Sequence, residues 1–264
     1  MVKNAGEPFL SIKGLSNRYV SRPWGIFGKK ELKPVLDNVD LEMGRGEILG
    51  LVGESGCGKT TLAKCILGLI DYEGEIRING HRRGKKPSTG ERRKYALDVQ
   101  AVFQDPGASL NPVKSVGWIL EEPLKVHGMG SAAERQIQVD RMLNLVGLDA
   151  AYRKRKPQEL SSGQKQRISI GAALMLNPGL IVADEPVSAL DVSVAAQILN
   201  LFRELNRRLD LGLLFISHNL DLVYYLCDRV AVMRNGRITE TQEILPASGV
   251  FPAPDHNPFR NRSI

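Results

Sequence analysis

The sequence predicts an α/β fold in which a mostly parallel sheet carries an inserted helical block. Short apolar runs rich in Val, Ile and Leu alternate with longer helical stretches, a pattern typical of parallel strands joined by crossover helices. A glycine-rich loop follows one of these runs, and strand signals disappear between Pro106 and Pro157. The chain has 264 residues, 42% of them hydrophobic, and is therefore long enough to bury the core of one domain with an inserted subdomain.

The predicted strands are apolar runs of strand length. They are Phe9–Ile12, Val35–Met43, Glu47–Val52, Glu75–Ile78, Val99–Phe103, Leu180–Ala183, Leu213–Ile216 and Arg229–Met233. Helices are predicted to follow Lys59, Ser162, Val192 and Asn219.

The segment without strand signals is predicted to be a helical subdomain at residues 105–159. Within it, the stretch SAAERQIQVDRMLNLVG has apolar residues at helical spacing. Residues 1–104 and 160–245 are left as the core of the same single domain. From residue 246 onward the chain contains several prolines and has no periodicity, which predicts a loosely ordered tail.

Most of the net charge of +7 comes from one stretch, Arg82 to Lys94, in which seven residues are basic and one is acidic. The stretch also contains Gly, Pro, Ser and Thr, and we interpret it as a solvated loop. Contact with anionic lipid headgroups or with nucleic acid is the alternative. Because no aromatic residues are interleaved with the basic ones, as a base-stacking surface requires, the sequence favours no nucleic-acid partner.

No apolar run is long enough to cross a membrane, and the N-terminal residues contain no apolar segment typical of a secretory signal. We therefore expect a soluble, cytosolic protein. Cys57, Cys65 and Cys227 are odd in number and lack C-x-x-C spacing, which argues against a disulfide framework or a zinc site. We expect three reduced thiols.

The most specific motif is a phosphate-binding loop of the pattern G-x-x-x-x-G-K-T, preceded by an apolar strand and followed by a helix. Its residues are Gly53, Glu54, Ser55, Gly56, Cys57, Gly58, Lys59 and Thr60, with Thr61 opening the helical stretch. Backbone N–H groups and the N-terminus of the following helix bind phosphate oxygens in such a loop. Lys59 is predicted to reach the β- and γ-phosphates and Thr60 to ligate magnesium, whereas the Cys57 thiol has no chemical role. The alternative is a glycine-rich turn that binds nothing.

Two adjacent acids, Asp184 and Glu185, follow the predicted strand Leu180–Ala183, at the edge of a parallel sheet where nucleotides bind. Adjacent strand residues face opposite sides, so the two acids should have different roles. Asp184 continues the strand and is predicted to be a magnesium partner. Glu185 turns out of the strand and is predicted to be the general base that polarises the attacking water. The alternative is an ordinary strand end with solvated acids.

Two further polar residues follow predicted strands. His218 comes after Leu213–Ile216, where it can contact the γ-phosphate. Gln104 comes after Val99–Phe103, where its amide can touch both magnesium and the lytic water. Gln104 also leads into the helical block and can therefore couple the nucleotide state to rotation of that subdomain. A structural histidine with its hydrogen bonds satisfied and a solvent-exposed glutamine are the alternatives.

Together with these motifs, the string LSSGQKQR, from Leu160 to Arg167, resembles the signature motif LSGGQ of the nucleotide-binding subunits of ABC transporters. The resemblance covers about residues 8–245. It implies a P-loop NTPase (RecA-like) core, an N-terminal antiparallel β subdomain and the inserted helical subdomain. It also implies that two ATP molecules are held between two ATPase subunits, and that the γ-phosphate bound by the partner chain is contacted by Ser161, Ser162, Gly163 and Gln164.

Other positions match the same family. The stretch Ser188–Asp191 resembles its D-loop, and Tyr19 resembles the aromatic residue that stacks on adenine. Trp24 and Phe27 lie nearby in the sequence, and a core role for Tyr19 is the alternative. Within the family, the strings VFQDP, SLNP and FISHNL are most similar to the importers of di- and oligopeptides and of nickel.

That resemblance implies an ATPase that uses ATP and Mg²⁺ on the cytoplasmic face of the cell membrane, paired with a related or identical ATPase chain. Two membrane-spanning subunits and an external solute-binding protein complete such an importer, and the helical subdomain receives a coupling helix from a membrane subunit. The sequence does not identify the cargo, because an ATPase subunit does not touch it. The alternatives are an ATPase of a soluble enzyme assembly, such as a carbon–phosphorus lyase complex, and a regulatory module that binds ATP without turnover.

One residue departs from the signature motif. Ser162 stands where the family has its first glycine, and its Cβ narrows the approach of a phosphate. We therefore hypothesise that the ATP site completed by Ser161–Gln164 of this chain is slower than the site built on its own Lys59, Glu185 and His218.

Overall fold

A computed structural model describes residues 7–21, 31–84 and 87–244 of the chain. Trp24, Phe27, two lysines of the basic stretch and the predicted tail from residue 246 lie outside the described residues. The described chain forms two compact units. One contains the residues up to Arg92 and those from Gly212 onward, and the other is Arg93–Leu211.

The described chain contains strands and helices in alternation. In chain order the strands are β1 (Leu10–Ser21), β2 (Glu31–Met43), β3 (Ile48–Val52), β4 (Glu73–Ile78), β5 (His81–Arg82), β6 (Val99–Val102), β7 (Leu180–Asp184), β8 (Gly212–Ile216), β9 (Arg229–Arg234) and β10 (Arg237–Glu243). The α-helices are α1 (Lys59–Ile66), α2 (Thr89–Asp98), α3 (Pro106–Ser109), α4 (Val116–Val126), α5 (Ala132–Leu145), α6 (Ser162–Leu174), α7 (Val192–Leu209) and α8 (Leu220–Leu226). Two 3₁₀ helices follow α5, at Ala150–Lys154 and Pro157–Glu159.

The first unit contains an antiparallel sheet and a second sheet rich in parallel pairs. The antiparallel sheet has the strand order β2-β1-β4-β5, and it buries apolar residues such as Leu10, Ile12 and Ile76. In the other sheet, β3 pairs in parallel with both β8 and β9, and β10 pairs with β9 in the antiparallel direction. β3 and β8 are buried along their whole length, as their uninterrupted apolar sequences predict.

In the second unit, β6 and β7 pair in parallel, with Val102 opposite Ala183. The amphipathic helix α7 buries Ile198, Phe202 and Leu205, which recur at helical spacing. Residues 105–159 contain no strand, and they contain α3, α4, α5 and both 3₁₀ helices. The predicted α/β fold, with an antiparallel N-terminal sheet and a parallel-rich sheet, is confirmed. The division of the chain into a core and an inserted helical subdomain stays a prediction.

The apolar patterns do not predict β5, β10 or α2. Most of β10 is exposed, so it contains no apolar run of the kind that identifies the buried strands. α2 begins inside the basic stretch because Ser88 and Glu91 form a capping box. The N–H of Ser88 donates to Glu91 Oε2 at 2.7 Å, and the N–H of Glu91 donates to Ser88 Oγ at 3.3 Å. The interpretation of the whole stretch as a loop is therefore wrong.

The same stretch is also less solvated than its charge suggests. The guanidinium of Arg83 donates to the carbonyl oxygens of Cys65 and Gly68, at 3.1 and 2.9 Å, and closes the C-terminal end of α1. It also lies over the ring of Tyr72, 5.2 Å from the ring centroid. Arg83 is thus a structural residue of the first unit, whereas Arg92, Arg93 and Lys94 are exposed.

Candidate functional site

The phosphate loop joins the carboxyl end of β3 to the N-terminus of α1. Its tip residues Glu54, Ser55 and Gly56 are exposed, as is Thr60. Cys57, Gly58 and Lys59 are buried, and Gly53 and Thr61 are half-buried. A Cβ at Gly53 would lie 2.2 Å from the carbonyl oxygen of Met233 on β9. Because this obstacle is a backbone atom, only glycine lets the loop leave β3 along this path.

Lys59 lies at the centre of the loop. Its ammonium Nζ donates to the carbonyl oxygens of Gly53 and Glu54, at 2.7 and 2.8 Å, and lies 3.8 Å from Cys57 Sγ. Only 8% of Lys59 is exposed. An anion that enters the loop therefore meets a positive charge that is already largely desolvated and held in place, which strengthens charge-assisted hydrogen bonds.

The hairpin turn between β9 and β10 forms hydrogen bonds with the phosphate loop and with β2. The N–H of Gly236 donates to the carbonyl oxygen of Cys57 at 2.9 Å, and the Gly236 carbonyl accepts from the N–H of Asp37 at 2.9 Å. Arg237 then pairs with the Asp37 carboxylate at 2.5 Å. The loop is thereby tied to both β2 and β9. The Asn235–Gly236 dipeptide is a known hairpin signal that reasoning from apolar runs misses.

His218 lies at the same edge of the first unit as the phosphate loop. β8 runs parallel to β3, with Ile216 opposite Leu51, and the N–H of Ser217 donates to the Leu51 carbonyl at 3.2 Å. The loop begins two residues beyond Leu51 at Gly53, so both segments leave the sheet side by side. His218 is exposed at this edge.

Tyr19 lies near the end of β1, opposite Lys33 on β2. It is 69% exposed, so the alternative that it belongs to the core is wrong. Its part in adenine stacking stays a prediction.

In the second unit, three predicted residues lie at or just beyond the carboxyl ends of two paired strands. Gln104 comes two residues after Val102 on β6, Asp184 is the last residue of β7, and Glu185 follows it. Because β6 and β7 are parallel neighbours, all three side chains originate at one edge of this pair. Gln104 is exposed, and Asp184 and Glu185 are half-buried.

The backbone of Glu185 is unusual. Its φ is 49°, in the left-handed region, although it has a side chain and precedes Pro186. The turn is held by Ser188, whose N–H and hydroxyl both donate to the Glu185 carbonyl, at 3.3 and 3.0 Å. Such strained residues cluster at functional sites. The kink ends β7 at Asp184, so that Glu185 leaves the strand.

The D-loop stretch ends in the N-cap of α7. Asp191 Oδ1 accepts from the N–H of Val194 at 2.9 Å and from the Ser193 hydroxyl at 2.9 Å. The Val194 N–H, and after it the Ser193 hydroxyl, hold the pKa of the exposed Asp191 carboxyl below its ordinary value. Asp191 thus has a clear structural role as a helix cap.

Ser161–Gln164 forms the N-terminus of α6, called here the α6 tip. Ser161 Oγ accepts from the N–H of Gln164 at 3.3 Å, and Gln164 Oε1 accepts from the N–H of Ser161 at 3.0 Å, which is a capping box. The box uses the N–H groups of Ser161 and Gln164. The box leaves two first-turn N–H groups, those of Ser162, which is exposed, and of Gly163, which is buried. An N–H group at an exposed helix N-terminus is a typical phosphate donor.

The two middle residues of the α6 tip differ in their surroundings. A Cβ at Gly163 would lie 2.6 Å from Val194 Cγ1 on α7, so the second glycine of the signature is needed for helix packing. Ser162 is exposed and has an ordinary helical backbone, so its Cβ meets no such obstacle. The packing of α6 against α7 therefore requires glycine at position 163 and tolerates serine at position 162.

The structure also brings Tyr152, which no sequence motif indicates, to the α6 tip. Gln164 Nε2 donates to the Tyr152 hydroxyl at 2.9 Å. The predicted residues thus fall into three sets. Within the first unit the phosphate loop lies beside His218. Within the second unit Gln104, Asp184 and Glu185 share one strand edge, and the α6 tip is a separate set.

Comparison with known proteins shows which family the chain resembles. A family model described as "ABC transporter" matches residues 36–188. A putative peptide import ATP-binding protein of Brucella ovis is 45% identical over 250 residues, which are 94% of this chain and 75% of the relative. The glutathione import ATP-binding protein GsiA of Salmonella paratyphi A is 43% identical over 254 residues, 95% of this chain and 40% of GsiA.

Solved structures give the same result for the fold. The dimeric, post-hydrolysis state of the ATP-binding cassette MJ0796, bound to ADP and Pi, matches with a TM-score of 0.77 and 26% identity, over 90% of this chain and 100% of that one. The cbiO1 protein from Clostridium perfringens, part of the ABC transporter complex cbiONQ, matches with a TM-score of 0.78 and 26% identity, over 90% and 89%. None of the helices in the described part of the chain has the length and apolar character of a membrane-spanning helix.

Proposed function

Because the chain belongs to the ABC transporter family, whose members hydrolyse ATP, we propose that it is the ATPase subunit of an importer for a small solute of the peptide class. The observation that carries this proposal is the phosphate loop with its buried, preplaced Lys59. The importer part is supported by relatives that are named peptide import and glutathione import ATP-binding proteins. Nickel, the other cargo class that the sequence suggests, has no support among these named relatives.

We assign the triphosphate of ATP to the phosphate loop. Lys59 exchanges its hydrogen bonds to the carbonyls of Gly53 and Glu54 for bonds to the β- and γ-phosphates, while the N-terminus of α1 adds positive potential. The exposed ring of Tyr19 is free to stack on the adenine. The Lys59 ammonium is suited to this role because it is largely desolvated and the loop already holds it in place.

The donor set fits Mg²⁺. The Thr60 hydroxyl, the Gln104 amide oxygen and the Asp184 carboxylate are hard oxygen ligands, which this ion prefers, and Mg²⁺ is commonly held by one or two protein groups together with phosphates and waters. Bound Mg²⁺ would neutralise charge on the phosphates. We assign these three residues to it directly or through water.

For hydrolysis, we assign Glu185 as the general base that takes the proton of the attacking water. The left-handed kink supports this role, because it turns the Glu185 carboxylate out of the strand that ends with Asp184. Gln104 is assigned to positioning the water, and His218 to contacting the γ-phosphate. Catalysis of this kind is mainly positioning and electrostatics.

We further propose that two ATPase subunits enclose two ATP molecules, with the α6 tip of each subunit contacting the γ-phosphate on the other. The first-turn N–H of Ser162, an exposed residue whose N–H the capping box does not use, supports this role. A dimeric MJ0796 cassette bound to ADP and Pi is among the similar structures. The partner of this chain is a second copy or a related ATPase.

The same proposal places the subunit at the cytoplasmic face of the membrane, beneath two permease subunits that receive cargo from an external binding protein. The named relatives support an importer over the soluble enzyme assembly that the sequence leaves open. cbiO1, described as part of a transporter complex, is a structural precedent for such an assembly.

ATP binding by a Lys59→Ala variant tests the central assignment. We expect its ATP affinity to fall at least about tenfold, since the lost bonds are charge-assisted, and its turnover to disappear. Lys64→Ala is the matched control, because Lys64 is an exposed lysine on the same helix. Wild-type affinity and turnover in Lys59→Ala would remove the phosphate loop from the mechanism.

Copurification tests the importer assignment separately. The full-length chain, isolated from detergent-solubilised membranes, should retain a multispanning membrane protein. Recovery in a soluble enzyme complex, with no membrane subunit, would favour the alternative assembly instead.

A further inference from the structure

Both ends of the Gln164 amide are engaged in hydrogen bonds. The Ser161 N–H requires an acceptor, so the oxygen Oε1 must face it, at 3.0 Å. Nε2 is then left to donate, and it does so to the Tyr152 hydroxyl at 2.9 Å. The Ser161 N–H thus selects the orientation of the amide that closes the capping box, and the Tyr152 hydroxyl holds the amide there by accepting from Nε2.

Tyr152 is itself held by its neighbours. It belongs to the 3₁₀ helix Ala150–Lys154, whose N-cap Asp149 accepts from the N–H of Ala151 at 2.7 Å. The guanidinium of Arg155 lies over its ring, 4.3 Å from the centroid. A ring fixed by stacking and by a capped backbone presents its hydroxyl at a defined position.

This 3₁₀ helix is tied to α4 and α5. The N–H of Val116, at the start of α4, donates to the Arg155 carbonyl at 2.8 Å. A Cβ at Gly117 would lie 2.6 Å from Arg153 Cγ, so the two segments are in close contact. Arg153 also reaches Asp140 on α5, at 3.5 Å. A displacement of α4 and α5 therefore moves the Tyr152 hydroxyl as well.

We propose that Tyr152 is a positioning residue that holds Gln164, and through it the Ser161 cap, in the geometry that meets the partner's nucleotide. The inference rests on the proposed function of the α6 tip. Tyr152 connects α4 and α5 to the phosphate-contacting tip through one hydrogen bond. A movement of those helices then changes the orientation of the tip.

Tyr152→Phe tests this, because it removes the hydroxyl and keeps the ring beneath Arg155. The full-length chain is isolated with whatever subunits it retains, and ATP affinity, kcat and melting temperature are measured. We expect kcat to fall about five- to tenfold, as loss of one hydrogen bond at a reacting geometry predicts, with ATP affinity and melting temperature unchanged. Hydrogen exchange should accelerate at the backbone amides of Ser161 and Gln164. Tyr95→Phe, which removes the hydroxyl of another half-buried tyrosine, is the control.

A double-mutant cycle completes the test. If Tyr152 acts through Gln164, the kcat of Tyr152→Phe/Gln164→Ala equals that of Gln164→Ala alone. The proposal is overturned if Tyr152→Phe behaves like the Tyr95 control, if the two losses multiply, or if melting temperature and ATP affinity fall together. The proposed function fails in a different way, namely if the unmutated chain and Lys59→Ala have equal ATPase activity, whatever Tyr152→Phe does.

Discussion

The packing of α6 against α7 at Gly163 leads to a quantitative prediction for Gly163→Ala. The added Cβ would lie 2.6 Å from Val194 Cγ1, whereas carbon atoms in contact are normally about 3.5–4.0 Å apart, so the two helices must separate by about 1 Å. Val194 is β-branched and on a helix, so its side chain cannot rotate away at low cost. Overpacking of this kind lowers the free energy of unfolding by about 1–3 kcal/mol, and each kcal/mol lowers the melting temperature by roughly 2–4 °C in a chain of this size.

Thermal unfolding of the full-length chain measures this effect, and ATPase activity is followed in parallel. We expect the ATPase rate to fall even at temperatures well below the melting temperature of the variant, where the chain is still folded. The reason is that a shift of about 1 Å at the α6 tip misplaces the phosphate donors. Ser162→Ala is the matched control. It changes an exposed neighbour on the same helical turn and should alter the free energy of unfolding by less than about 0.5 kcal/mol.

A second substitution identifies the cause. Val194→Ala removes both methyl groups of the side chain, including the Cγ1 that the new Cβ would strike. Because Val194 is half-buried, this substitution by itself should lower the free energy of unfolding by about 1 kcal/mol. The double variant Gly163→Ala/Val194→Ala should therefore be more stable than the sum of the single effects predicts, by about 1 kcal/mol or more. Strictly additive losses, or a wild-type melting temperature for Gly163→Ala, would refute the packing argument.

Three further outcomes are expected. Glu185→Gln should slow hydrolysis about 10²-fold or more while ATP binding stays intact, and wild-type turnover would exclude Glu185 as the general base. Ser162→Gly should speed single-turnover hydrolysis at the site that this chain's α6 tip completes, and no gain there would contradict the hypothesis of a slower site. Burial raises the pKa of the Cys65 thiol to about 12, so native Cys65 should resist alkylation at pH 8. Because this pKa is raised above the unfolded value of about 8.5, the stability that Cys65 contributes is present below pH 8.5 and is lost as pH rises towards 12. Rapid alkylation of native Cys65 at pH 8 would contradict the raised pKa.

Much of the fold follows from local patterns in the sequence. The apolar runs that become β3, β7 and β8 are short and almost uninterrupted, which is typical of buried strands in a parallel sheet. The polar residues that follow such strands then share an edge, because parallel strands all end on the same side. For that reason His218 is found beside the phosphate loop within the first unit, and Gln104 beside Asp184 within the second.

Elements without an apolar run are harder to predict. β10 is mostly exposed, and α2 buries no residue along its length, so neither has the periodicity on which the predictions depend. Their signals lie instead in short polar motifs: the Asn235–Gly236 turn before β10, and the Ser88 and Glu91 capping box before α2. The charge of the basic stretch obscured the second of these signals.

The sequence by itself identifies the phosphate-binding loop, because G-x-x-x-x-G-K-T is a local pattern and consecutive residues form the loop. It cannot decide what supports that loop or the α6 tip. The N–H of Gly236 donates to the Cys57 carbonyl, although the two residues are far apart in the sequence. The packing of Val194 requires glycine at position 163, and the Tyr152 hydroxyl accepts a hydrogen bond from Gln164. These contacts join residues that no short-range periodicity connects, and they exist only once the packing of helices and strands has brought the atoms together.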